Sequence, residues 1–226
     1  MMKAKRIAAF VLILFTFPAL LSALFFALPA SGIEDPEIDG SASAILCHNE
    51  SGTVIYRKET NVRLPAGPAV RLAAALVFEG IFKGDAGKTV TVHKKVTGLA
   101  TSTLNPGLKS GEQITVYDLL CAMLIANSDD AVYALAYAAY PEEENPAGKL
   151  IEEMNKKAWA LGMARTKFTD LIGKDADPVE TGSYTCIDDL LTLALEVQRS
   201  TLLCEICGTT EHKISTAAAP NREVLL

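Results

Sequence analysis

Apolar and polar positions alternate in two short runs near the start of the polar part of the chain, Ser43-Ala-Ile-Leu-Cys-His48 and Thr53-Val-Ile-Tyr-Arg57. Between them Asn49-Glu-Ser-Gly52 supplies turn residues, so the pattern predicts a β-hairpin. Leu64-Pro-Ala-Gly-Pro68 breaks the chain, and Ala69 to Glu79 is apolar nearly all round, which predicts a buried helix opened by proline and closed by Gly80. Lys88-Thr-Val-Thr-Val-His93 alternates like a strand, and Gly98 to Gly111 has the composition of a long surface loop. Thr115, with Asp118 three residues on, predicts a cap for a helix through Leu119 to Ala126, and a second apolar helix is expected from Ala131 to Tyr140.

Between those two helices sits Asn127-Ser-Asp-Asp130. Four polar residues there are either an N-cap with an acidic first turn or a functional loop at the edge of a cleft. Lys149 to Leu161 is amphipathic, with Leu150, Ile151, Met154, Ala158 and Leu161 on one face. On the other face Glu152/Lys156 and Glu153/Lys157 are spaced to pair at i,i+4, and Gly162 ends the helix. Trp159 is expected to lie partly in the core. Thr185 with Asp188 predicts a capped helix to Gln198, Leu202 to Cys207 a short helical piece, and Glu211 to Leu226 strand material.

The N-terminus changes the count of residues available to this fold. Lys3, Lys5 and Arg6 precede an uncharged stretch from Ile7 to Ile33, the arrangement of an export signal. Cleavage after Gly32 is expected, giving a signal over residues 1–32 and a domain over residues 33–226. Left uncut, the run from Ile7 to Leu28 reaches the roughly 20 residues that span a bilayer. With 27 acidic against 21 basic side chains in 226 residues, the net charge of −6 offers no basic footprint for nucleic acid.

The five cysteines are an odd number without the regular spacing of a disulfide framework. Cys204-Glu-Ile-Cys207, with His212 as a third ligand, admits a redox or zinc reading. It lacks a second ligand pair, and two small apolar residues on a short helix account for it better.

Several fragments then form an ordered series: Ser51-Gly52 at the hairpin turn, Arg63-Leu-Pro65 before the buried helix, and Gly107-Leu-Lys-Ser-Gly-Glu-Gln-Ile-Thr-Val-Tyr-Asp-Leu-Leu120. Asp130-Ala131, Met154-Asn-Lys-Lys157, Leu161-Gly-Met163, Phe168 and Tyr184 follow. In this order and spacing the chain resembles the serine-type D-alanyl-D-alanine carboxypeptidases, the low-molecular-weight penicillin-binding proteins, over nearly all of Ser41 to Leu226. The resemblance implies an α+β, β-lactamase-like fold with an antiparallel sheet, a helical lobe and a cleft between them. It implies an exported bacterial protein, on the periplasmic or extracellular side, that meets a peptidoglycan stem peptide if the cleft forms, and no cofactor or metal. Membrane association would come through the N-terminal segment.

That family uses three motifs: S-x-x-K at the start of the buried helix, S-x-N between two core helices, and K-T-G on a later strand. A serine at a helix N-terminus presents its hydroxyl, and a lysine one turn later lies on the same face to take the proton. None of the three motifs occurs in this chain. Pro68 stands at the nucleophile position and Arg71 at the base position; proline has no nucleophile, and arginine keeps its proton at physiological pH. Asn127 and Asp129 stand where the second motif has serine and asparagine, with Ser128 one place off. The resemblance puts the third motif beyond Leu226, so the closing sheet strands are expected to be missing. Three readings follow: a family member without catalysis, an active enzyme using Thr101, Ser102 or Ser128, or a truncated product that does not function.

Overall fold

The computed structural model of the chain describes residues 38, 40–99, 107–216 and 219–225. The apolar run of residues 7–33, the signal boundary at Gly32, and Thr101 and Ser102 lie outside them. No helix among the described residues is long and apolar enough to cross a membrane.

Among the described residues six α-helices form the centre: α1 (Ala69–Phe82), α2 (Val116–Leu124), α3 (Asp129–Ala139), α4 (Pro146–Ala160), α5 (Ile187–Val197) and α6 (Thr201–Cys207). α1 packs against α2, α3, α4 and α5, and its buried face runs through Val70, Ala73, Ala74, Ala75 and Phe78. The short alanine side chains let neighbouring helices approach closely, while Phe78, wholly buried, contributes about 1.5–3 kcal/mol of apolar burial. α1 does not stop at Gly80. It continues one turn to bury Phe82 and ends at Lys83, which adopts the left-handed conformation (φ 52°). Glycine inside a helix costs about 1 kcal/mol, less than the burial of a phenylalanine returns.

The eight strands among the described residues pair two by two, all antiparallel: β1 (Ala44–Cys47) with β2 (Val54–Lys58), β3 (Leu64–Pro65) with β6 (Tyr184–Thr185), β4 (Thr89–Thr91) with β5 (Gln113–Thr115), and β7 (Glu211–Thr216) with β8 (Ala219–Leu225). The class is α+β, as expected. The single antiparallel sheet is instead four two-stranded ribbons among the described residues, with β1, β4, β5 and β7 each in contact with a helix. At the β1–β2 turn Gly52 (φ 67°) packs so closely on Leu195 of α5 that a Cβ there would lie 3.1 Å from its Cδ1.

Most caps follow the sequence reading. Thr115 Oγ1 accepts from Asp118 N at 3.0 Å and donates to its carboxylate at 2.7 Å. Asn145 caps α4 ahead of Pro146, three residues before the expected start. Thr185 is different: it lies in β6 opposite Leu64, its hydroxyl 2.7 Å from that of Thr166, and Asp188 takes a bond from Thr60. α5 therefore starts after Cys186 without a side-chain cap.

Three surface expectations also change. Lys157 reaches across to Glu196 of α5 at 2.8 Å, leaving Glu153 to Lys149 and Lys156. Trp159 is 79 % exposed because it points away from the Leu150, Met154 and Ala158 stripe. Cys204 and Cys207 are exposed on α6, whose buried positions are Leu203 and Ile206. The apolar explanation of the cysteine pair does not hold, and neither does the zinc one. His212 Nε2 lies 2.7 Å from Asp118, and no metal-ligand group of three occurs among the described residues.

Candidate active site

Pro68 sits at the N-cap of α1 with helical backbone angles (φ −61°, ψ −17°) and an exposed ring. It contributes a fixed backbone turn and no donor, suited to a helix start. One turn along the same helix, Arg71 points inward and is 4 % exposed at its side chain.

The acceptor for that cation is Asp129, the first residue of α3. Arg71 Nη2 lies 2.5 Å from Asp129 Oδ1, and the carboxylate is as buried as the guanidinium. Arg71 Nη1 also donates to the carbonyl of Ile172 at 2.9 Å. The buried Nε has no hydrogen-bond partner. Burial lowers the Arg71 pKa, while Asp129, with Asp170 further off, acts to raise it. Arginine starts high enough that it remains a cation. Asp129 also gains from its place at a helix N-terminus.

Asn127, exposed and in the left-handed region (φ 54°), makes the turn between α2 and α3, a conformation asparagine tolerates better than most residues. Ser128 is the N-cap of α3: its Oγ accepts from Ala131 N at 3.1 Å and donates to Asp130. Asp130 in turn accepts from Leu108 N at 3.0 Å. Of the two sequence readings of this loop, the cap with an acidic first turn is the one adopted. Ser128 is fully buried and both its donor and its acceptor roles are occupied.

The turn Asp170-Leu-Ile-Gly-Lys174 closes over this group, and sequence reasoning missed it. Asp170 gathers the amides of Ile172 at 2.9 Å, Gly173 at 2.5 Å and Lys174 at 3.3 Å, together with Ser183 Oγ at 2.6 Å. Burial pushes its pKa up, but the Ser183 hydroxyl and these amides more than offset that and hold it below the usual carboxylate range. Gly173 (φ 73°) lies against the backbone of Gly67, next to Pro68, so closely that a Cβ would collide with the Gly67 carbonyl. Asn155 fixes the approach to this turn, exchanging bonds with Phe168 N at 2.9 Å and Phe168 O at 2.8 Å. An aspartate three residues before a glycine is the trace that the turn leaves in the sequence.

Two of the four positions singled out from the resemblance, Arg71 and Asp129, meet directly. Pro68 and Asn127 stay at the surface on either side of them. The arrangement can hold three segments together; it offers neither a hydroxyl at position 68 nor a proton acceptor at position 71.

The family profile described as D-alanyl-D-alanine carboxypeptidase matches residues 30–225. The chain is 29 % identical over 170 residues to the D-alanyl-D-alanine carboxypeptidase DacF of Bacillus subtilis, covering 75 % of this chain and 42 % of DacF. It is 28 % identical over 177 residues to the D-alanyl-D-alanine carboxypeptidase of Streptomyces sp. (strain K15), covering 76 % of this chain and 60 % of that one. The chain thus spans about half the length of these curated relatives. Among solved structures, the D-alanyl-D-alanine carboxypeptidase of Mycobacterium tuberculosis H37Rv superposes with a TM-score of 0.72 at 21 % identity, over 87 % of this chain and 70 % of that one, a likeness of fold. By the extent of the profile match the chain belongs to the D-alanyl-D-alanine carboxypeptidase family.

Proposed function

We propose that this chain is an exported, non-catalytic member of its family, acting at the outer face of a bacterial membrane and engaging peptidoglycan stem peptides without cleaving them. The buried Arg71–Asp129 pair carries the reading. Acyl transfer on serine needs a hydroxyl nucleophile and a group that can accept its proton. Position 68 has no hydroxyl, and position 71 holds a permanent cation bound to a carboxylate. Export is supported by the basic and then apolar N-terminal sequence.

Fluorescent penicillin, applied to the purified protein beside an active carboxypeptidase, is expected to leave it unlabelled; a covalent, hydroxylamine-sensitive adduct overturns the reading. Release of D-alanine from a pentapeptide analogue is expected to be nil at high protein concentration. N-terminal sequencing of the secreted form is expected to begin at Ile33. A cooperative thermal transition of the purified protein would separate this reading from that of a non-functional product.

A further inference from the structure

We propose that a cleft between β4 and the C-terminal end of α3, away from Pro68 and Arg71, binds short zwitterionic peptides bearing a free carboxylate and a free amino group. The cleft has a volume of about 460 Å³, within the range of small-ligand sites. Its lining includes Lys88, Lys94 and Lys95 from the segment of β4 and Glu143 and Glu144 from the turn after α3. All five side chains are exposed, and none forms an ion pair among the described residues. Lys88 lies over the Phe82 ring, 5.5 Å from its centroid. Opposite charges therefore line one opening without neutralising each other, and a ligand with both charges can meet both.

An aromatic pair also lines the cleft. His93 and Tyr137 stack with centroids 4.6 Å apart and planes 4° from parallel. Lys95 N donates to His93 Nδ1 at 3.3 Å, which helps fix the ring. β4 alternates so that Val90 enters the core while Thr89 and Thr91 stay exposed along the cleft. The stacked pair adds aromatic contact area for a peptide, and the opposite charges set its direction. The inference does not rest on the absence of catalysis.

The test is NMR titration of the full chain with a synthetic tetrapeptide carrying a C-terminal carboxylate and one lysine. Two blocked forms serve as controls, one amidated at the C-terminus and one with both amines acetylated. Saturable shifts at His93 and Tyr137 are expected, about tenfold weaker binding for each blocked form, and weakening by added salt. Lys94→Ala/Lys95→Ala and Glu143→Gln/Glu144→Gln should each lower affinity to a similar degree; the positions are exposed, and circular dichroism checks the fold. No saturable shift at millimolar peptide overturns the proposal, as does equal binding of either blocked form. Binding of succinate as tight as that of the peptide also overturns it, because the acidic residues would then play no part. Penicillin labelling, which tests catalysis, is independent of all these outcomes.

Discussion

Arg71 and Asp129 are 58 positions apart in the sequence, and their charged groups meet at 2.5 Å in the interior. Together they form a neutral, buried unit joining α1 to α3 and, through Ile172, to the turn that covers them. Removing one partner leaves a buried charge without compensation, at a cost of about 3–5 kcal/mol. Arg71→Met and Asp129→Leu alone are expected to lose that much in denaturant unfolding. The double variant is expected to recover most of it.

Supplying only the missing hydroxyl should not restore reactivity. Pro68→Ser puts an Oγ at the start of α1, but the inward-facing residue one turn along is still an arginine held by Asp129. Intact-protein mass spectrometry after incubation with penicillin is expected to show no adduct for Pro68→Ser, as for the parent chain.

The Asp170 carboxyl has its pKa lowered in the folded chain by Ser183 and three amides, against the opposing effect of burial. A depressed carboxyl contributes stability above its unfolded pKa of about 3.9 and loses it as pH falls through the folded value. Asp170→Asn is therefore expected to lower stability at neutral pH and to flatten the loss of stability below about pH 4. Thermal melts of both proteins from pH 7 down to pH 2 measure this.

Gly173 combines a positive φ of 73° with contact against the Gly67 backbone, where no flexible side chain can give way. Gly173→Ala is expected to cost about 1–3 kcal/mol from overpacking and backbone strain. The melting temperature falls accordingly, and the chemical shifts of Gly67 and Ile172 move with it.

Much of this molecule is legible along the chain because its helices are strongly patterned. The apolar run after Pro68, the Thr115 cap and the stripe of Leu150, Met154 and Ala158 each report a local preference that the packing accepts. Gly80 misleads because a helix boundary is decided by the burial of Phe82 beyond it, and Thr185 misleads because its partner is Leu64, far away in sequence. Trp159, Cys204 and Cys207 show that an apolar or small residue on a helix need not face the core. The motif positions point to Arg71 and Asp129 separately. Only the fold brings them together, since charge complementarity between distant residues leaves no periodic mark. The Asp170 turn is hidden for a related reason: four of its bonds are made to backbone or to Ser183, whose identities the turn does not dictate.

Division into four ribbons sets an order of local opening. A ribbon of two strands shares no backbone ladder with the other ribbons among the described residues, so opening one leaves the backbone pairing of the rest intact. β1 and β2 rest on α5 at Leu195, and β7 is fastened to α2 through His212 and Asp118. Their amides are expected to exchange with deuterium by opening of that one ribbon, well before those of α1, α2 and α3. The most protected amides are then expected around Arg71 and Asp129, where the interior ends of α1 and α3 meet.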